Sequence, residues 1–468
     1  MLYTATPLEE YKTVFQQLKT GFNSNLTREY GFRKAQLDKL YKAIKNYEVD
    51  IQNALYEDLR KSSSEAYLTE IGPQLAEIKH TLNHLKTWMK CKRVGTPALL
   101  LPSKSFIQPE PKGVVVIFAP WNYPFGLVIG PLIAAIAAGN TVLLKPAHET
   151  PHVAEFINRL VQSTFDPQQV NVILGEGASV GDYLLENFEF DHIFFTGSMA
   201  VGKHIMAKAA RTLTPVSLEL GGKSPAIIHP TADLHHTIKR VVWAKYLNCG
   251  QTCIAPDYAL VYESLYDDFV KGTVSRIKEV YNDNPGKSAD YNRIVNHARF
   301  DHLVSMLNGA DIVHGGRYNK EDLYLEPTLV KVNNADTPLM RQEIFGPILP
   351  IMTFKNETDL WEIINLNSHP LAMYIFTKDE RFEKRAMSNV LSGAVCINDC
   401  AVHYGNPNLP FGGIKYSGLG SYHGKFGFDT FSHLRPILKS SPFMDLAIKY
   451  PPYEGNMSII KKMFEGWF

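Results

Sequence analysis

The sequence predicts an α/β protein made of two doubly wound parallel-sheet domains, with a small extended β arm lying against something else. Two observations carry the prediction. From residue 114 onward short apolar runs alternate with helix-like segments, and after Gly221-Gly222 the alternation starts afresh. Strands that alternate with helices pair in parallel, because each crossover helix covers a sheet face and returns the chain in the same direction. The 468 residues also exceed what one hydrophobic core organises.

The composition is that of an ordinary globular protein, 45% apolar and 20% charged. Lysine and arginine total 48 against 47 aspartates and glutamates, so nothing electrostatic points to nucleic acid or an anionic membrane as the main partner. The opening MLYTATPLEEYK has neither a basic n-region nor an apolar h-region, so no secretory signal is expected. Cys91, Cys249, Cys253, Cys396 and Cys400 are too sparse for a disulfide scaffold and cannot all pair, which points to a reducing, cytoplasmic setting. Residues 113–144 carry no charge and are long enough on paper to cross a bilayer. Pro120, Pro124 and Pro131 interrupt them, so a buried strand, turn, helix and strand are expected and no transmembrane segment.

In chain order, the first ninety residues read as helices; QLDKLYKAIKNYEVDIQNALYEDL repeats apolar residues at three- and four-residue intervals. The Pro- and Gly-rich VGTPALLLPSKSFIQPEPKG, 94–113, reads as an extended arm. The first strand series is VVVIFA (114–119), TVLLK (141–145), VNVIL (170–174), DHIFF (191–195) and PVSLEL (215–220). The second is PAIIH, YALVYE, TLVKV, LPIMTF, AMYIFT and GAVCIND, with helices from Asp233, from Ser264, near 356–367 and near 379–391. After Leu434 the chain reads as irregular and ends in the short amphipathic MSIIKKMFEGWF.

FFTGSMAVGKH, 194–204, comes within one residue of a P-loop: Gly197-x4-Gly202-Lys203 is followed by His204, where magnesium needs a hydroxyl. Asp399, at the end of AVCIND, is a poor second metal ligand. A triphosphate site is therefore not expected. GEGASVG (175–181) and GLGSYHG (418–424) are each one residue too long for the dinucleotide fingerprint. What remains is a strand running into Thr196-Gly197-Ser198 and a helix from about Met199, whose first N–H groups suit a pyrophosphate as well as an ordinary structural turn. The second strand ends in TVLLKPAHET, placing Lys145, His148 and Glu149 where ribose recognition is decided. Together these favour a nicotinamide dinucleotide.

NCGQTCIAPDY, 248–258, sets Cys253 on a polar turn between a helix and a strand. Thiolates attack carbonyls well, and Glu219, just before Gly221-Gly222, is placed to draw a proton from water. Asn122, in APWNYP at the end of the first strand, offers an amide donor. Each has a plainer alternative: a lone cysteine is commonly a small buried hydrophobe, and a glutamate before a turn is commonly solvated. The shared x3 spacing of Cys249/Cys253 and Cys396/Cys400 raises a four-cysteine zinc site. Their helix-and-strand context does not suit a zinc knuckle, and no metal is expected.

PWNYP, FTGS, LELGGKSP, GQTCIAPDY, QEIFGPILP and PFGGIKYSGLGSYHGKFGFDTFSH, in this order, resemble the aldehyde dehydrogenase superfamily from about residue 10 to about 435. The short N-terminus and the SYHGKFGFDTFSH ending look most like its class 3 branch of fatty and aromatic aldehyde dehydrogenases. The resemblance implies oxidation of aldehydes to carboxylic acids with NAD or NADP, through a cysteine thiohemiacetal and a thioester. Cys253 would be the nucleophile, Glu219 the general base, and Asn122 with the Cys253 amide the oxyanion hole. Glu343 and Phe345 would hold the nicotinamide ribose and ring, Lys145 the adenosine ribose, and Gly197 with Ser198 would lie by the pyrophosphate. His148 stands where the family often has Glu, which keeps both cofactors open.

The resemblance further implies a dinucleotide-binding domain of 1–93 and 112–220, a catalytic domain of 221–405, bridging segments 94–111 and 406–435, and a tail 436–468. A homodimer would use 98–108 and parts of 410–435. Tyr123, Trp243 and Tyr67 are candidates to line an apolar substrate funnel, or are plain core. Such walls suit medium- or long-chain aliphatic or aromatic aldehydes. The tail's Ile459, Ile460, Met463, Phe464, Trp467 and Phe468 would dock on a subunit, cover the funnel or touch a membrane weakly. Two rival readings are a CoA-acylating dehydrogenase, which has no need of Glu219, and a non-catalytic binding protein on the same fold.

Overall fold

The computed structural model describes residues 4–97 and 100–465. The expectations for residues 98–99 of the arm and for Trp467 and Phe468 lie outside these.

Two parallel sheets organise the chain. The first has six strands in the order Gly418–Leu419, Val216–Glu219, His192–Thr196, Val114–Phe118, Thr141–Lys145 and Val170–Val172, all neighbours parallel except the short outer Gly418–Leu419. From Val114–Phe118 the chain steps to one side through Thr141–Lys145 and Val170–Val172, then crosses to the other side. Strand order reverses between Val114–Phe118 and His192–Thr196, and at such a reversal the crossover loops diverge and leave a crevice outside the strand C-termini. Asn122 follows one of these strands and Gly197-Ser198 the other.

The uncharged stretch resolves as expected from its interruptions. Val114–Phe118 is buried throughout, and the helix Gly126–Ala138 is buried along its whole length before Gly139 ends it at φ 92°. Asn140 then ties three segments together: it accepts from the Gly113 N–H and donates to the carbonyls of Ala135 and Phe431. Among the described residues no helix is long and apolar enough to cross a membrane.

The second sheet has seven strands, ordered Asp311–His314, Thr328–Lys331, Ile348–Phe354, Tyr258–Tyr262, Pro225–Ile228, Ala372–Phe376 and Ala394–Ile397, with only the first antiparallel to its neighbour. A third sheet is antiparallel and joins Lys92–Val94, Lys104–Pro111 and Ser432–Lys439.

Three expectations are corrected here. The chain does not turn irregular after Leu434, because the strand pairs with Lys104–Pro111 from Ser432 through Lys439. The arm sheet accordingly starts at Lys92 rather than 94 and ends at Lys439 rather than 435. Finally, 406–435 is not wholly a bridging segment, since Gly418–Leu419 adds an edge to the first sheet and the helix Gly424–Thr430 packs on Gly126–Ala138. Each departure is a long-range pairing that no local pattern announces.

Candidate active site

Cys253 sits on a turn held from every side. Asn248, Cys249 and Gly250 take left-handed backbone angles of 51°, 54° and 74°, and a Cβ on Gly250 would meet the Gly346 carbonyl oxygen at 2.3 Å. Only glycine lets those two backbones touch. The Gln251 amide donates to the carbonyls of Asn248 and Arg293 and accepts from the Val295 N–H. Buried Glu65 accepts from the Asn248 N–H and from Asn292. A turn with its polar groups this fully paired presents the next residues in one geometry.

Asn122 is buried; its Nδ2 donates to the Gln251 carbonyl at 3.0 Å, and its own carbonyl accepts from Asn248 at 2.7 Å. An amide nitrogen carries two N–H bonds, so one remains for the cavity that Asn122 lines with Cys253. Tyr123 bonds the Thr252 hydroxyl at 2.6 Å, beside Cys253.

Glu219 ends its strand in register with Thr196, and its carbonyl accepts from the Gly197 N–H at 3.0 Å. It is 3% exposed, and neither carboxylate oxygen has a hydrogen-bond partner. Burial alone holds this carboxyl well above the usual carboxylate range. The Cys253 thiol is pushed up to about 12, first by burial and then by the nearby carboxyls of Glu343 and Glu219. Burial raises the proton affinity of both groups, so each is a strong base once it has lost its proton.

Two cavities meet at this pair. One, of about 250 Å³, is almost wholly apolar and is walled by Tyr123, Leu127, Trp243, Tyr404 and Tyr422. The other, of about 180 Å³, takes Trp121, Asn122, Gly197, Ser198, Glu343 and Phe345. Cys253 and Glu219 border both.

In the second cavity Glu343 accepts from the Gly222 N–H at 3.1 Å. A Cβ on Gly221 would come within 2.1 Å of that carboxylate. Glu343 is raised to about 7, by burial first and then by Asp257. Phe345 is held at φ 53°, its ring edge-on to Trp121 at 5.3 Å and under the Arg299 guanidinium at 6.0 Å. Ser198 caps the helix Met199–Ala209. His204, on that helix, pairs with Asp182 at 2.6 Å on the surface.

Lys145 and His148 do not border this cavity; they stand farther along the same sheet edge. Lys145, next to Phe118 in register, donates to the Pro146 carbonyl at 2.8 Å. Burial lowers it to about 8, against the opposing pull of Glu149 and Glu176. His148 pairs with Glu149 at 3.1 Å and faces Gly177.

Of the three proposed funnel residues, Tyr123 and Trp243 line the apolar cavity, the latter 41% exposed at its edge. Tyr67 does not: it borders a neighbouring cavity of about 320 Å³, because its helical turn points it to the other side. Sequence reasoning missed Trp121, Leu68, Arg299, Tyr404 and Tyr422. Trp121 was legible as Asn122's neighbour; the others come from distant segments without a local signal. Among the described residues no group of three or more His, Cys, Asp or Glu is placed to hold a metal.

A sequence profile of the aldehyde dehydrogenase family matches residues 5–437. The 4,4'-diaponeurosporen-aldehyde dehydrogenase of Staphylococcus aureus is 46% identical over 453 residues, covering 96% of this chain and 98% of that protein. Aldehyde dehydrogenase family 3 member A2 of Macaca fascicularis is 42% identical, over 93% of this chain and 90% of that one. The mouse "Aldehyde dehydrogenase, dimeric NADP-preferring" is 37% identical, over 96% and 99%. Among solved structures, the substrate-bound state of Staphylococcus aureus AldH matches with a TM-score of 0.94 at 45% identity, over 97% of this chain and 99% of that one. A betaine aldehyde dehydrogenase from the same organism, in complex with NAD+, matches with a TM-score of 0.86 at 26% identity, over 96% and 93%. The chain belongs to the aldehyde dehydrogenase family, on the side of its family 3 members, and is an enzyme that oxidises aldehydes.

Proposed function

We propose that the chain oxidises medium- or long-chain aliphatic or aromatic aldehydes to carboxylic acids with NAD or NADP. Cys253 is the nucleophile, Glu219 the general base, and Asn122 with the Cys253 backbone N–H stabilises the oxyanion. The observation that carries this reading is the meeting of an apolar and a polar cavity at Cys253 and Glu219. Aldehyde enters from the apolar side and cofactor from the other.

The residues fit a nicotinamide dinucleotide. At Gly221 a Cβ would fill the space against Glu343, the carboxylate that would take the nicotinamide ribose hydroxyls; Phe345 would support the ring. Gly197 and Ser198, at a helix start, suit the pyrophosphate. Lys145 and His148 stand where the adenosine ribose would lie, and a cation there tolerates a 2′-phosphate. When bound, the cofactor supplies a positively charged ring that favours the thiolate and an acceptor for hydride.

The Cys253 thiol gives up its proton to water, the sulfur bonds to the carbonyl carbon as the C=O pair moves onto oxygen, and the charge that develops there meets Asn122's unused N–H and the backbone N–H of Cys253. Removing one such donor costs about 3–4 kcal/mol of transition-state stabilisation. Loss of hydride leaves a thioester on Cys253. Glu219, once it has lost its proton and without a competing partner, takes a proton from water as the water adds to the thioester carbon; the acid departs and the sulfur is released.

The test is an absorbance assay with dodecanal and either dinucleotide, without CoA. Wild type forms NAD(P)H and dodecanoate, while Cys253→Ala forms neither. Product that appears only when CoA is added, or no product at all, refutes the reading. His148→Glu should raise the ratio of NAD to NADP use, since it sets a carboxylate near a 2′-phosphate.

A homodimer through the arm sheet is part of the same reading. Its outer strand Ser432–Lys439 leaves Leu434, Ile437 and Leu438 exposed, and an unpaired edge with apolar side chains favours a partner. The tail helix Met457–Glu465, with Met457 and Ile459 exposed, docks on a subunit rather than on lipid, in a cytoplasmic enzyme. A monomeric mass for wild type in solution, or vesicle binding lost on removing residues 456–468, would overturn this assembly.

A further inference from the structure

Beyond the apolar cavity that ends at Cys253, the space around the substrate path divides, and one side chain stands at the division. Leu68 borders the 250 Å³ apolar cavity, the neighbouring cavity of about 320 Å³, and a third of about 270 Å³. No other described residue lines all three.

Its position follows from the backbone. Tyr67–Ile71 is a π-helical turn between the helices Ser63–Ala66 and Gly72–Trp88. Such turns insert a residue and bulge it outward, and they cluster at functional sites. Gly72 permits the bulge, since a Cβ there would meet the Tyr67 carbonyl oxygen at 2.9 Å. The inward side is anchored by Glu70, fully buried, which pairs with Lys61 and accepts from the N–H groups of Phe125 and Gly126 at 2.9 and 3.1 Å. With Glu70 fixed to the start of the Gly126–Ala138 helix, Leu68 points outward, 59% exposed, at the fork.

The two branches differ chemically. The third cavity also meets the apolar one, at Trp243 and Leu247, but it carries Glu65, Lys239, Arg276 and Asp290, and a hydrocarbon tail there would strip water from charged groups. The 320 Å³ cavity shares Pro73, Tyr404, Gly405 and Tyr422 with the apolar one and adds the small Ala76, Gly130 and Ala134; its polar groups include the amide of Gln74 and the side chains of Glu77 and His423, which burial pushes toward their neutral forms. Apolar chains therefore favour the second branch.

We propose that Leu68 is a specificity-determining residue, directing the tails of aldehydes too long for the apolar cavity into the branch beside Ala76. This rests on the aldehyde reading of Cys253 above. Short aldehydes never reach the fork and are indifferent to it.

The test compares hexadecanal with butanal as the ratio of their kcat/KM values. Ala76→Phe, an exposed helical position whose ring fills the second branch, should lower that ratio at least tenfold and leave butanal kinetics unchanged. Val280→Trp, which fills the charged branch instead, should leave the ratio as in wild type. Leu68→Ala should raise KM for hexadecanal relative to butanal, since the tail loses its guide. An unchanged ratio in Ala76→Phe, or a fall in Val280→Trp, overturns the proposal. Urea midpoints equal to wild type show that the variants fold. Wild type inactive on both aldehydes would instead refute the aldehyde reading.

Discussion

Removing the carboxylate of Asp257 tests how the cofactor side of the site is held. Asp257 and Lys223 are both buried and form an ion pair. The same Lys223 ammonium donates to the carbonyls of Leu339 and Gln342 at 2.8 and 2.9 Å. The other Asp257 oxygen accepts from the Ile344 N–H at 3.0 Å. The segment carrying Glu343 and Phe345 is thus latched on both flanks by one pair. Asp257→Ala strands the lysine charge, a loss of about 3–5 kcal/mol for buried pairs. It also leaves a buried N–H without an acceptor, about 1–3 kcal/mol more. The two losses share one residue and do not add in full; Lys223 also keeps its two carbonyls, so about 4 kcal/mol is expected. Urea unfolding followed by tryptophan fluorescence measures it, and KM for the dinucleotide should rise in parallel. The double variant Lys223→Met, Asp257→Leu separates the effects: apolar replacement of both partners should restore most of the stability, while the unlatched loop keeps KM high. A stability loss below about 1 kcal/mol would contradict the electrostatic reasoning, and an unchanged cofactor KM in both variants would reduce the pair to a structural one.

Other outcomes follow from the same geometry. Glu219→Gln should retain a first-turnover burst of nicotinamide absorbance with a slow steady rate, because only thioester hydrolysis needs the base; an unchanged steady rate removes Glu219 from the mechanism. With the thiol pushed up to about 12, iodoacetamide should modify Cys253 slowly at pH 7 and about tenfold faster per pH unit above it. Glu343→Gln should speed that reaction above pH 7, where the native carboxylate, raised to about 7, carries charge; equal rates would deny the coupling. His192 is lowered from 6.5 to about 3 by burial and then by Lys112, and Lys112 donates to its Nδ1 at 3.0 Å. Since the unfolded chain protonates near pH 6.5 and the folded one near 3, stability is fully present above 6.5. It falls by about 1.4 kcal/mol per pH unit as pH drops through that window. His192→Gln should flatten this part of the curve; parallel curves for the two proteins would exclude His192 as the cause.

Local chemistry explains what could be read early. Buried parallel strands must be continuous apolar runs, and Val114–Phe118 and Thr141–Lys145 are visible as such without any partner in view. A polar turn before Cys253 is legible from Asn248 and Gly250, which tolerate left-handed backbone, whereas Cys249 is held there at φ 54° by the surrounding fold. Proline spacing was enough to separate a buried helix from a membrane span. The strand Ser432–Lys439 was missed because its pattern, SHLRPILK, carries Pro436 and no alternation; it forms only because Lys104–Pro111 offers an open edge. Tyr67 was misplaced because nothing local shows which way the first residue of the π-helical turn Tyr67–Ile71 faces.

What the sequence determined by itself is therefore the chemistry available and the elements that carry it: a thiol on a glycine turn, a carboxyl at a strand end, an amide after another strand. Tertiary structure alone decided that these lie around one point, with apolar space on one side and polar space on the other. Burial and proximity depend on segments hundreds of residues apart, and the same burial sets the proton affinities of Cys253, Glu219 and Glu343. Desolvation is a property of the packed surroundings, so no stretch of chain could have revealed it.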